Sequence, residues 1–371
     1  MTLRTSEKRL QPVPPGDPND RGGKAQPMLI VKGLKKYFPI HSGALNRKTA
    51  EVRAVDEVSF TVMKGETLGV VGESGCGKST LARLLMHLTP KDKGSLIFDG
   101  EGVDEPTGLS VRDLRRNLQM VFQDSYSSLN PRLPVEESIA YGPRVHGATK
   151  AAAKKTAREL LEKVGLRPDL FAARYPHELS GGQKQRVNIA RALALNPRML
   201  ILDEAVSALD KSVEAQVLNL LGYLKRHFNL TYMFISHDLH VVQWIADRVL
   251  VMYLGQVVEI GPVEAIYNRP KHPYTRALLN PRLSMNPDER VETAPLVGDP
   301  PNPINPPSGC RFRTRCPHAE AVCEAKSPTL GISLSEASHL AACHMDVPGS
   351  GHSLAGLPPA ANLPQPAQIR Q

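Results

Sequence analysis

A glycine-rich segment near the first quarter of the chain carries residue types that bind phosphate. Residues 72–80 read GESGCGKST and match the pattern G-x-x-x-x-G-K-[ST]. The backbone N–H groups of such a loop turn inward, and the helix that follows adds its positive N-terminal end, so the β- and γ-phosphates of a nucleotide can be surrounded. A lysine supplies a cation for the same oxygens, and the next hydroxyl is a ligand for Mg²⁺. The nucleotide-binding residues predicted from this segment are Gly72, Ser74, Gly75, Gly77, Lys78, Ser79 and Thr80.

An apolar run that ends in two acids provides groups for metal binding and water activation. Residues 199–204 read MLILDE, which puts carboxylates at the carboxyl end of a strand, where α/β proteins bind their ligands. We expect Asp203 to hold Mg²⁺ through water and Glu204 to orient or deprotonate the attacking water. By itself an apolar strand that ends in Asp-Glu is usually only a strand end, so this interpretation depends on the phosphate loop upstream.

A second glycine-containing turn precedes a strongly helical segment. Residues 179–183 read LSGGQ, and the helix predicted over 185–195 offers another N-terminus suited to an anion. A chain with one bound ATP has no evident use for two γ-phosphate sites, whereas two chains that face each other do.

The elements that must position these segments alternate between strand and helix. Residues 81–88 follow the phosphate loop with apolar positions at helical spacing, and a helix closed by a glycine is predicted over 151–165. Continuous apolar runs, typical of strands buried on both faces, occur at Thr67–Val71, Met199–Asp203, 231–236 and Arg248–Tyr253. The pattern predicts an α/β fold with a parallel sheet covered on both faces.

Together these motifs resemble those of the ATP-binding cassette (ABC) ATPases. In that family each nucleotide lies between the phosphate loop of one subunit and the LSGGQ turn of its partner. The resemblance covers about residues 28–262 and implies a P-loop NTPase domain of the α/β class, with a helical subdomain at about 124–195 and with ATP and Mg²⁺ as ligands. The residues that it assigns to the partner's ATP are Leu179, Ser180, Gly181, Gly182, Gln183 and Asp210, the last within SALD at 207–210.

The same resemblance assigns roles to single residues outside the glycine turns. Tyr37 is similar to the aromatic that stacks on adenine; its neighbour Phe38 is an alternative, and a core aromatic is the simpler explanation of either. Gln123 matches the glutamine that links the metal site to the membrane partner, and His237 matches the histidine that senses γ-phosphate. The implied catalytic set is Glu204, His237 and Gln123, and the implied Mg²⁺ ligands are Ser79, Gln123 and Asp203.

Three further segments resemble the ATP-binding subunits of oligopeptide and dipeptide permeases. They read QDSYSSLNPR at 123–132, PKHPYTRALL at 270–279 and GCRFRTRCP at 309–317. The implied function is ATP hydrolysis that powers import of di- or oligopeptides through two separate membrane permease subunits. The implied partners also include a second, paralogous ATPase and a solute-binding protein. Relatives with the same C-terminal segment import nickel or glutathione, which remain alternative substrates.

Four of the five cysteines crowd into the last fifth of the chain with the spacing C-x5-C-x6-C-x19-C. This spacing lacks the tight pairs of structural zinc sites, although His318 and His344 could replace cysteines as ligands. Some peptide-permease ATPases carry a [4Fe–4S] cluster on a similar set, and four thiolates suit one. The favoured hypothesis is therefore an iron–sulfur cluster, with zinc and free buried thiols left open. The residues concerned are Cys310, Cys316, Cys323 and Cys343.

Charge and hydropathy narrow the class of partner and the location. Of the formal net charge of +9, residues 1–50 carry +7, with ten Lys or Arg and three acids. This basic N-terminal segment suits an anionic membrane surface or a nucleotide as well as DNA, and a solvated tail is the simpler explanation of it. No stretch of basic residues with interleaved aromatics, typical of nucleic-acid binding, follows it. We therefore expect no nucleic-acid partner. No run of 18 apolar residues and no signal peptide occur. Hence we expect a peripheral subunit on the cytoplasmic face of the cell membrane.

Composition also suggests where the folded regions begin and end. Residues 1–27 are polar and aperiodic and predict a disordered lead, and the ATPase domain is expected over 28–262. A small cysteine-containing C-terminal region is expected over 263–345, followed by a disordered tail at 346–371.

A soluble ABC ATPase that acts on DNA or ribosomes is the main rival function. The presence of one cassette without sustained heptads argues against it.

Overall fold

A computed structural model describes residues 26–42, 47–124, 127–279, 301–330 and 338–356, and all structural statements concern these ranges. The strands are β1 Pro27–Ser42, β2 Arg47–Met63, β3 Thr67–Val71, β4 Lys93–Phe98, β5 Glu101–Gly102, β6 Leu118–Val121, β7 Met199–Asp203, β8 Thr231–Ile235, β9 Arg248–Tyr253, β10 Gln256–Pro262 and β11 Leu340–Ala341. The helices are α1 Lys78–Leu85, α2 Val111–Asn117, α3 Val135–Val145, α4 Lys150–Lys163, α5 Pro168–Phe171, α6 Gly181–Leu193, α7 Lys211–His227, α8 Leu239–Ile245, α9 Val263–Asn268, α10 Pro273–Leu279 and α11 Ala321–Ala325.

The central sheet has the strand order β11-β10-β9-β3-β8-β7-β6. Strands β9, β3, β8, β7 and β6 pair in parallel, while β10 and β11 join antiparallel at one edge. Because β3 and β7 both pair with β8, the phosphate loop after β3 and the two acids at the end of β7 lie one strand apart on the same sheet edge. A second, antiparallel sheet has the order β2-β1-β4-β5.

Alternate residues of the central strands enter two different apolar cores. In β7, Leu200 and Leu202 belong to the core shared with the helices α3, α4 and α6, whereas Met199 and Ile201 face the core shared with α1 and the antiparallel sheet. Both faces are buried, so every residue from Met199 to Asp203 is inaccessible. The predicted α/β sheet with two covered faces is therefore confirmed.

Helices α3 to α6 form the helical subdomain, in which α3 and α4 pack on each other and on α6. Two of these helices begin with a side-chain cap. The hydroxyl of Thr149 accepts a hydrogen bond from Ala152 N–H at 3.2 Å, and that of Ser180 accepts one from Gln183 N–H at 3.3 Å. Such caps satisfy otherwise unpaired N–H groups at a helix start. The helices span 135–193, inside the range of about 124–195 expected for this subdomain.

The C-terminal region packs directly on the sheet rather than forming a detached unit. Glu259 of β10 is fully buried, and its carboxylate accepts hydrogen bonds from the N–H groups of Lys271 at 2.7 Å and His272 at 3.0 Å. His339 places Nε2 2.6 Å from the same carboxylate. One buried acid thus ties β10 to the segment before α10 and to the segment before β11.

The first part of the expected disordered tail, residues 346–356, packs on the cysteine-containing region. Residues 346–356 form turns in which His352 is buried, with Nε2 2.9 Å from the carbonyl oxygen of His318. Pro, Gly and Ala in this stretch suggested disorder, but the buried imidazole anchors it to the cysteine-containing region. The rest of the expected tail, 357–371, and most of the expected lead, 1–25, lie outside the described residues. Within the described ranges no helix is both long and apolar enough to cross a bilayer.

Candidate functional site

The phosphate loop joins β3 to α1 under tight steric constraint. Gly72 has φ +152°, and a Cβ there would lie 2.2 Å from the carbonyl oxygen of Met252. Gly77 has φ +107°, and its Cβ would lie 2.2 Å from the carbonyl oxygen of Ala54. Side chains at these positions would force the loop away from the sheet. Helix α1 begins without a side-chain cap, so its first N–H groups remain available to a phosphate.

Lys78 is buried beneath the loop. Its Nζ donates hydrogen bonds to the main-chain carbonyls of Gly72 at 2.7 Å and Glu73 at 3.0 Å. Among the described carboxylates none forms an ion pair with this ammonium group. Its positive charge is consequently left uncompensated for an anionic ligand in the loop.

Ser79 and Asp203 meet across the sheet edge, with Oγ 3.2 Å from Oδ1. Asp203 is buried, and burial raises the pKa of its carboxyl, with the Ser79 hydroxyl opposing that shift and the Glu204 charge adding to it. A divalent cation relieves the cost of a buried carboxylate, and hydroxyl and carboxylate oxygens are ligands that Mg²⁺ accepts. These two residues therefore fit a magnesium site.

Three predicted catalytic residues converge at the ends of neighbouring strands. Gln123 follows β6, Glu204 follows β7 and His237 comes shortly after β8. Gln123 Nε2 donates to Glu204 Oε2 at 2.9 Å, and His237 Nδ1 lies 3.4 Å from the same oxygen. The Gln123 amide nitrogen is thus directed to Glu204, so of the expected Mg²⁺ ligands only Ser79 and Asp203 contact each other.

Glu204 sits in a strained backbone conformation. Its φ is +47°, unusual for a residue with a long side chain, and its N–H donates to the carbonyl of Ile235 on β8 at 3.0 Å. Strain of this kind persists only where surrounding structure holds it, and it occurs frequently at functional sites. The conformation directs the carboxylate toward Gln123 and His237 at the sheet edge.

Tyr37 is connected to the phosphate loop by way of strand β2. On that strand it pairs with Arg53, whose guanidinium lies 5.6 Å from the tyrosine ring centroid, and Ala54, which follows Arg53, contacts Gly77 of the loop. The Tyr37 hydroxyl donates to Asp56. Burial and this carboxylate raise the pKa of Tyr37 to about 12. Tyr37 is half-buried and anchored, whereas the alternative, Phe38, is exposed.

The LSGGQ turn is held by its own chain but presents exposed residues. Leu179 is buried, and Ser180 and Gln183 cap α6 reciprocally, with Ser180 N–H donating to Gln183 Oε1 at 3.0 Å. Ser180 and Gly181 are exposed, and a Cβ on Gly181 would meet only Leu209 Cδ2 at 3.7 Å. Among the described residues no hydrogen bond or ion pair joins this turn to the phosphate loop.

Asp210 and Gly182 serve the fold of the same region. The Asp210 carboxylate caps α7 by accepting from Val213 N–H at 3.0 Å, and this N–H and the Ser212 hydroxyl lower the pKa of Asp210. A Cβ on Gly182 would lie 2.4 Å from Val213 Cγ1. Gly182 is therefore required by packing inside the chain, in contrast to Gly181.

The C-terminal region touches the phosphate loop through residues that the motifs did not single out. Glu73 N–H donates to the Tyr274 hydroxyl at 2.8 Å, and Arg315 donates to both carboxylate oxygens of Glu73 at 2.8 and 3.1 Å. Tyr274 lies in the segment 270–279 and Arg315 in the segment 309–317, and from sequence both segments indicated only a subfamily. The tyrosine and the closely spaced arginines within them were the features that could have indicated a contact with the nucleotide site.

The four late cysteines are partly or fully buried and none forms a disulfide. Burial raises the pKa of the Cys316 thiol to about 12 and that of Cys343 to about 11, and the charges of the neighbouring cysteines raise both further. Those neighbours include Cys310 and Cys323 in each case. Within the described ranges no set of three or more His, Cys, Asp and Glu side chains could hold a metal ion.

The two histidines considered as zinc ligands differ in their surroundings. His344 places Nε2 2.9 Å from the carbonyl oxygen of Lys326, which leaves that nitrogen occupied. His318 is partly buried, and burial lowers its pKa.

Comparison with known proteins agrees with this geometry. The ABC transporter family model matches residues 55–207, and that of the oligopeptide/dipeptide transporter C-terminal region matches 258–323. The oligopeptide transport ATP-binding protein AppF of Bacillus subtilis is 48% identical over 322 residues, 86% of this chain and 97% of that protein. The glutathione import ATP-binding protein GsiA of Pectobacterium atrosepticum is 51% identical over 282 residues, 76% of this chain and 45% of that protein.

Two solved structures share the fold. A dimer of the ATP-binding cassette MJ0796 with ADP and phosphate has a TM-score of 0.54 and 27% identity, covering 64% of this chain and 99% of that one. CbiO1 of Clostridium perfringens, part of an ABC transporter complex, has a TM-score of 0.56 and 25% identity, covering 69% and 96%. From the nucleotide-site geometry, the two family matches and the extent of identity, the chain belongs to the ABC transporter ATP-binding proteins that carry the oligopeptide/dipeptide transporter C-terminal region.

Proposed function

We propose that this chain is the ATP-hydrolysing subunit of an importer for di- or oligopeptides that works through separate membrane permease subunits. The observation that carries the choice of substrate is the oligopeptide/dipeptide transporter region at 258–323, which packs directly on the phosphate loop. AppF of Bacillus subtilis, similar over most of both chains, is named for oligopeptide transport.

The site residues divide the chemistry of hydrolysis between them. Lys78 neutralises charge on the phosphates, and Ser79 with Asp203 holds Mg²⁺, which supplies Lewis-acid stabilisation of the phosphoryl oxygens when bound. Glu204 accepts a proton from the attacking water, and Gln123 and His237 hold its carboxylate in place. Water activation and metal binding thus fall to adjacent residues on one strand end.

The exposed LSGGQ turn supports a dimer in which each ATP contacts both chains. Among the described residues no close contact accounts for the glycine at 181, where a Cβ would meet only Leu209 Cδ2 at 3.7 Å. The structurally similar cassette MJ0796 is described as a dimer with ADP and phosphate. We infer that the partner is a second, paralogous ATPase.

The membrane partners would contact the surface that adjoins the Gln123 loop. Phe122, next to Gln123, is 36% exposed, and Tyr141 of the helical subdomain is 62% exposed. Exposed large apolar side chains on the catalytic loop and on the helical subdomain suit contact with helices of a permease subunit. We infer that the chain lies on the cytoplasmic face of the cell membrane and that the permease and a solute-binding protein select the substrate.

A glutathione importer is the second candidate, because GsiA of Pectobacterium atrosepticum is 51% identical over the matched region. Glutathione is itself peptide-like, so the two functions differ in the membrane and binding components rather than in this chain. Nickel is a third candidate, resting on the C-terminal segment alone.

Uptake of labelled dipeptide tests the proposed function. Cells that lack this chain should lose uptake, wild-type protein should restore it, and Lys78→Ala should not, because the phosphates lose their buried cation. Lys163→Ala, on the exposed side of α4, serves as a control and should restore uptake fully. Uptake that persists without the chain would reject the peptide assignment, and labelled glutathione and nickel would then be tested in the same cells.

We further propose that Cys310, Cys316, Cys323 and Cys343 hold a [4Fe–4S] cluster. The proposal rests on four thiols of the type that binds such clusters, and it requires them to lie closer together than in the structure, where no three described side chains are placed to share a metal ion. Burial raises the pKa of the Cys310, Cys316 and Cys343 thiols, so a cationic cluster would stabilise their charged form.

Anaerobically purified protein should be brown, with a broad absorbance near about 400 nm typical of thiolate-bound iron. Cys316→Ser should lose iron and colour, whereas Cys76→Ser, in the phosphate loop, should keep both. Colourless, iron-free wild-type protein would leave free buried thiols as the better explanation.

A further inference from the structure

Three arginines alternate through the segment between Cys310 and Cys316. Arg313 bonds locally: its Nε donates to the carbonyl of Ser308 at 3.0 Å, and its guanidinium lies 3.2 Å from the Glu324 carboxylate. Arg311 and Arg315 instead reach the ATPase domain and are both nearly inaccessible, with side chains 6% and 5% exposed. The segment therefore contacts the nucleotide site at two points.

The first point is the phosphate loop. Arg315 binds both oxygens of the Glu73 carboxylate, and the Tyr274 hydroxyl accepts from the Glu73 N–H. The Glu73 carbonyl in turn accepts from Lys78 Nζ at 3.0 Å. Glu73 is the second residue of the loop, so its carboxylate adjoins the backbone that would hold the phosphates. Without a paired cation, that negative charge would repel the ligand.

The second point is the adenine side. Arg311 pairs with the Asp56 carboxylate and also donates to the Leu254 carbonyl. The same carboxylate accepts from the hydroxyl of Tyr37, and Asp56 N–H donates to the Gly255 carbonyl at 2.8 Å. Asp56 is buried, so Arg311, together with Lys35 at 3.7 Å, compensates the charge that orients the tyrosine.

We propose that Arg311 and Arg315 are positioning residues through which the cysteine-rich segment prepares the ATP site, Arg315 by neutralising Glu73 beside the phosphates and Arg311 by anchoring Asp56 and Tyr37 beside the adenine. The proposal rests on the assignment of the phosphate loop and Tyr37 to the nucleotide. It makes the C-terminal region part of the binding site, although the arginines are 238 or more residues distant from Glu73 in sequence.

Titration of the purified full-length chain with a non-hydrolysable ATP analogue and Mg²⁺ tests the phosphate end. Arg315→Gln should weaken binding about tenfold, the scale of one charge near the ligand. Adding Glu73→Gln to Arg315→Gln should restore affinity to within about threefold of wild type, since the repelling charge is gone. Arg313→Gln, which changes only the local contacts, should bind as wild type does.

The rescue separates an electrostatic role from a structural one. If Arg315 merely supported the fold, the double variant would bind no better than Arg315→Gln and would melt at a lower temperature, and this result would overturn the proposal. ATPase measurements should agree, with KM raised and kcat nearly unchanged in Arg315→Gln, because Glu204 is untouched.

Inorganic tripolyphosphate, a ligand without adenine, tests the other end. Arg311→Gln should weaken binding of the ATP analogue but not of tripolyphosphate, whereas Arg315→Gln should weaken both. Asp56→Asn combined with Arg311→Gln keeps the test valid if Arg311→Gln alone unfolds. Equal losses for both ligands with this double variant would contradict the proposed role of Arg311. Wild-type protein that binds neither ligand would reject the nucleotide assignment itself, whereas normal wild-type binding with unaffected variants would reject only the two positioning roles.

Discussion

Replacing Glu204 by Gln will slow ATP turnover by roughly 10²–10⁴-fold, the usual scale of a lost general base, and will leave nucleotide binding intact. Glutamine has nearly the same shape and can still accept the hydrogen bond from Gln123 Nε2, now 2.9 Å from Glu204 Oε2. It cannot accept a proton from water at neutral pH. Steady-state phosphate release, with the partner ATPase present, measures the turnover, and titration with Mg-ATP measures binding.

A matched control separates this effect from general damage. Glu162→Gln removes an exposed carboxylate from α4 and should leave both quantities unchanged. Because hydrolysis normally reopens the dimer, the Glu204→Gln chain should also accumulate as an ATP-bound dimer, visible by light scattering. Near-normal turnover would assign water activation to another residue, and His237 would be examined next.

Gly181→Asp will lower ATPase activity at least about 100-fold, equivalent to about 2.7 kcal/mol of lost transition-state stabilisation, while the isolated chain remains as stable as wild type or slightly more so. The stability follows from the structure: a Cβ at this position meets only Leu209, and an acid in the first turn of α6 interacts favourably with the helix dipole. The activity loss follows from the proposed dimer, where the new carboxylate would face the partner's γ-phosphate and repel it.

Gly182→Asp is the contrasting variant for this experiment. Its Cβ would lie 2.4 Å from Val213 Cγ1, so the chain itself should be destabilised, with a lower melting temperature. Thermal melting of each chain alone, beside ATPase activity with the partner, distinguishes the two effects. Full activity in Gly181→Asp would mean that the turn does not meet a second nucleotide, and the proposed dimer would have to be abandoned.

Local patterns predicted the central strands closely. Three of the four continuous apolar runs coincide with strands at both ends, and the fourth, predicted over 231–236, ends one residue earlier at Ile235. This precision has a physical origin, because a strand buried on both faces is apolar along most of its length, with polar residues confined mainly to its ends. The packing of residues 346–356 was not predicted, since it depends on a long-range contact of His352 rather than on composition.

The sequence by itself determined the residues of the phosphate loop, the acid pair after β7 and the LSGGQ turn, because each depends on a short stretch of backbone whose residue types dictate its conformation. Only the tertiary structure decided which of them meet. The strand order β8-β7-β6 brings His237 and Gln123 to the same carboxylate oxygen of Glu204, and no local pattern encodes that order. The contacts of Arg315 with Glu73 and of Arg311 with Asp56 likewise join residues 242 and 255 positions apart, because the packing of the C-terminal region on the sheet, and not sequence spacing, sets the distance between them.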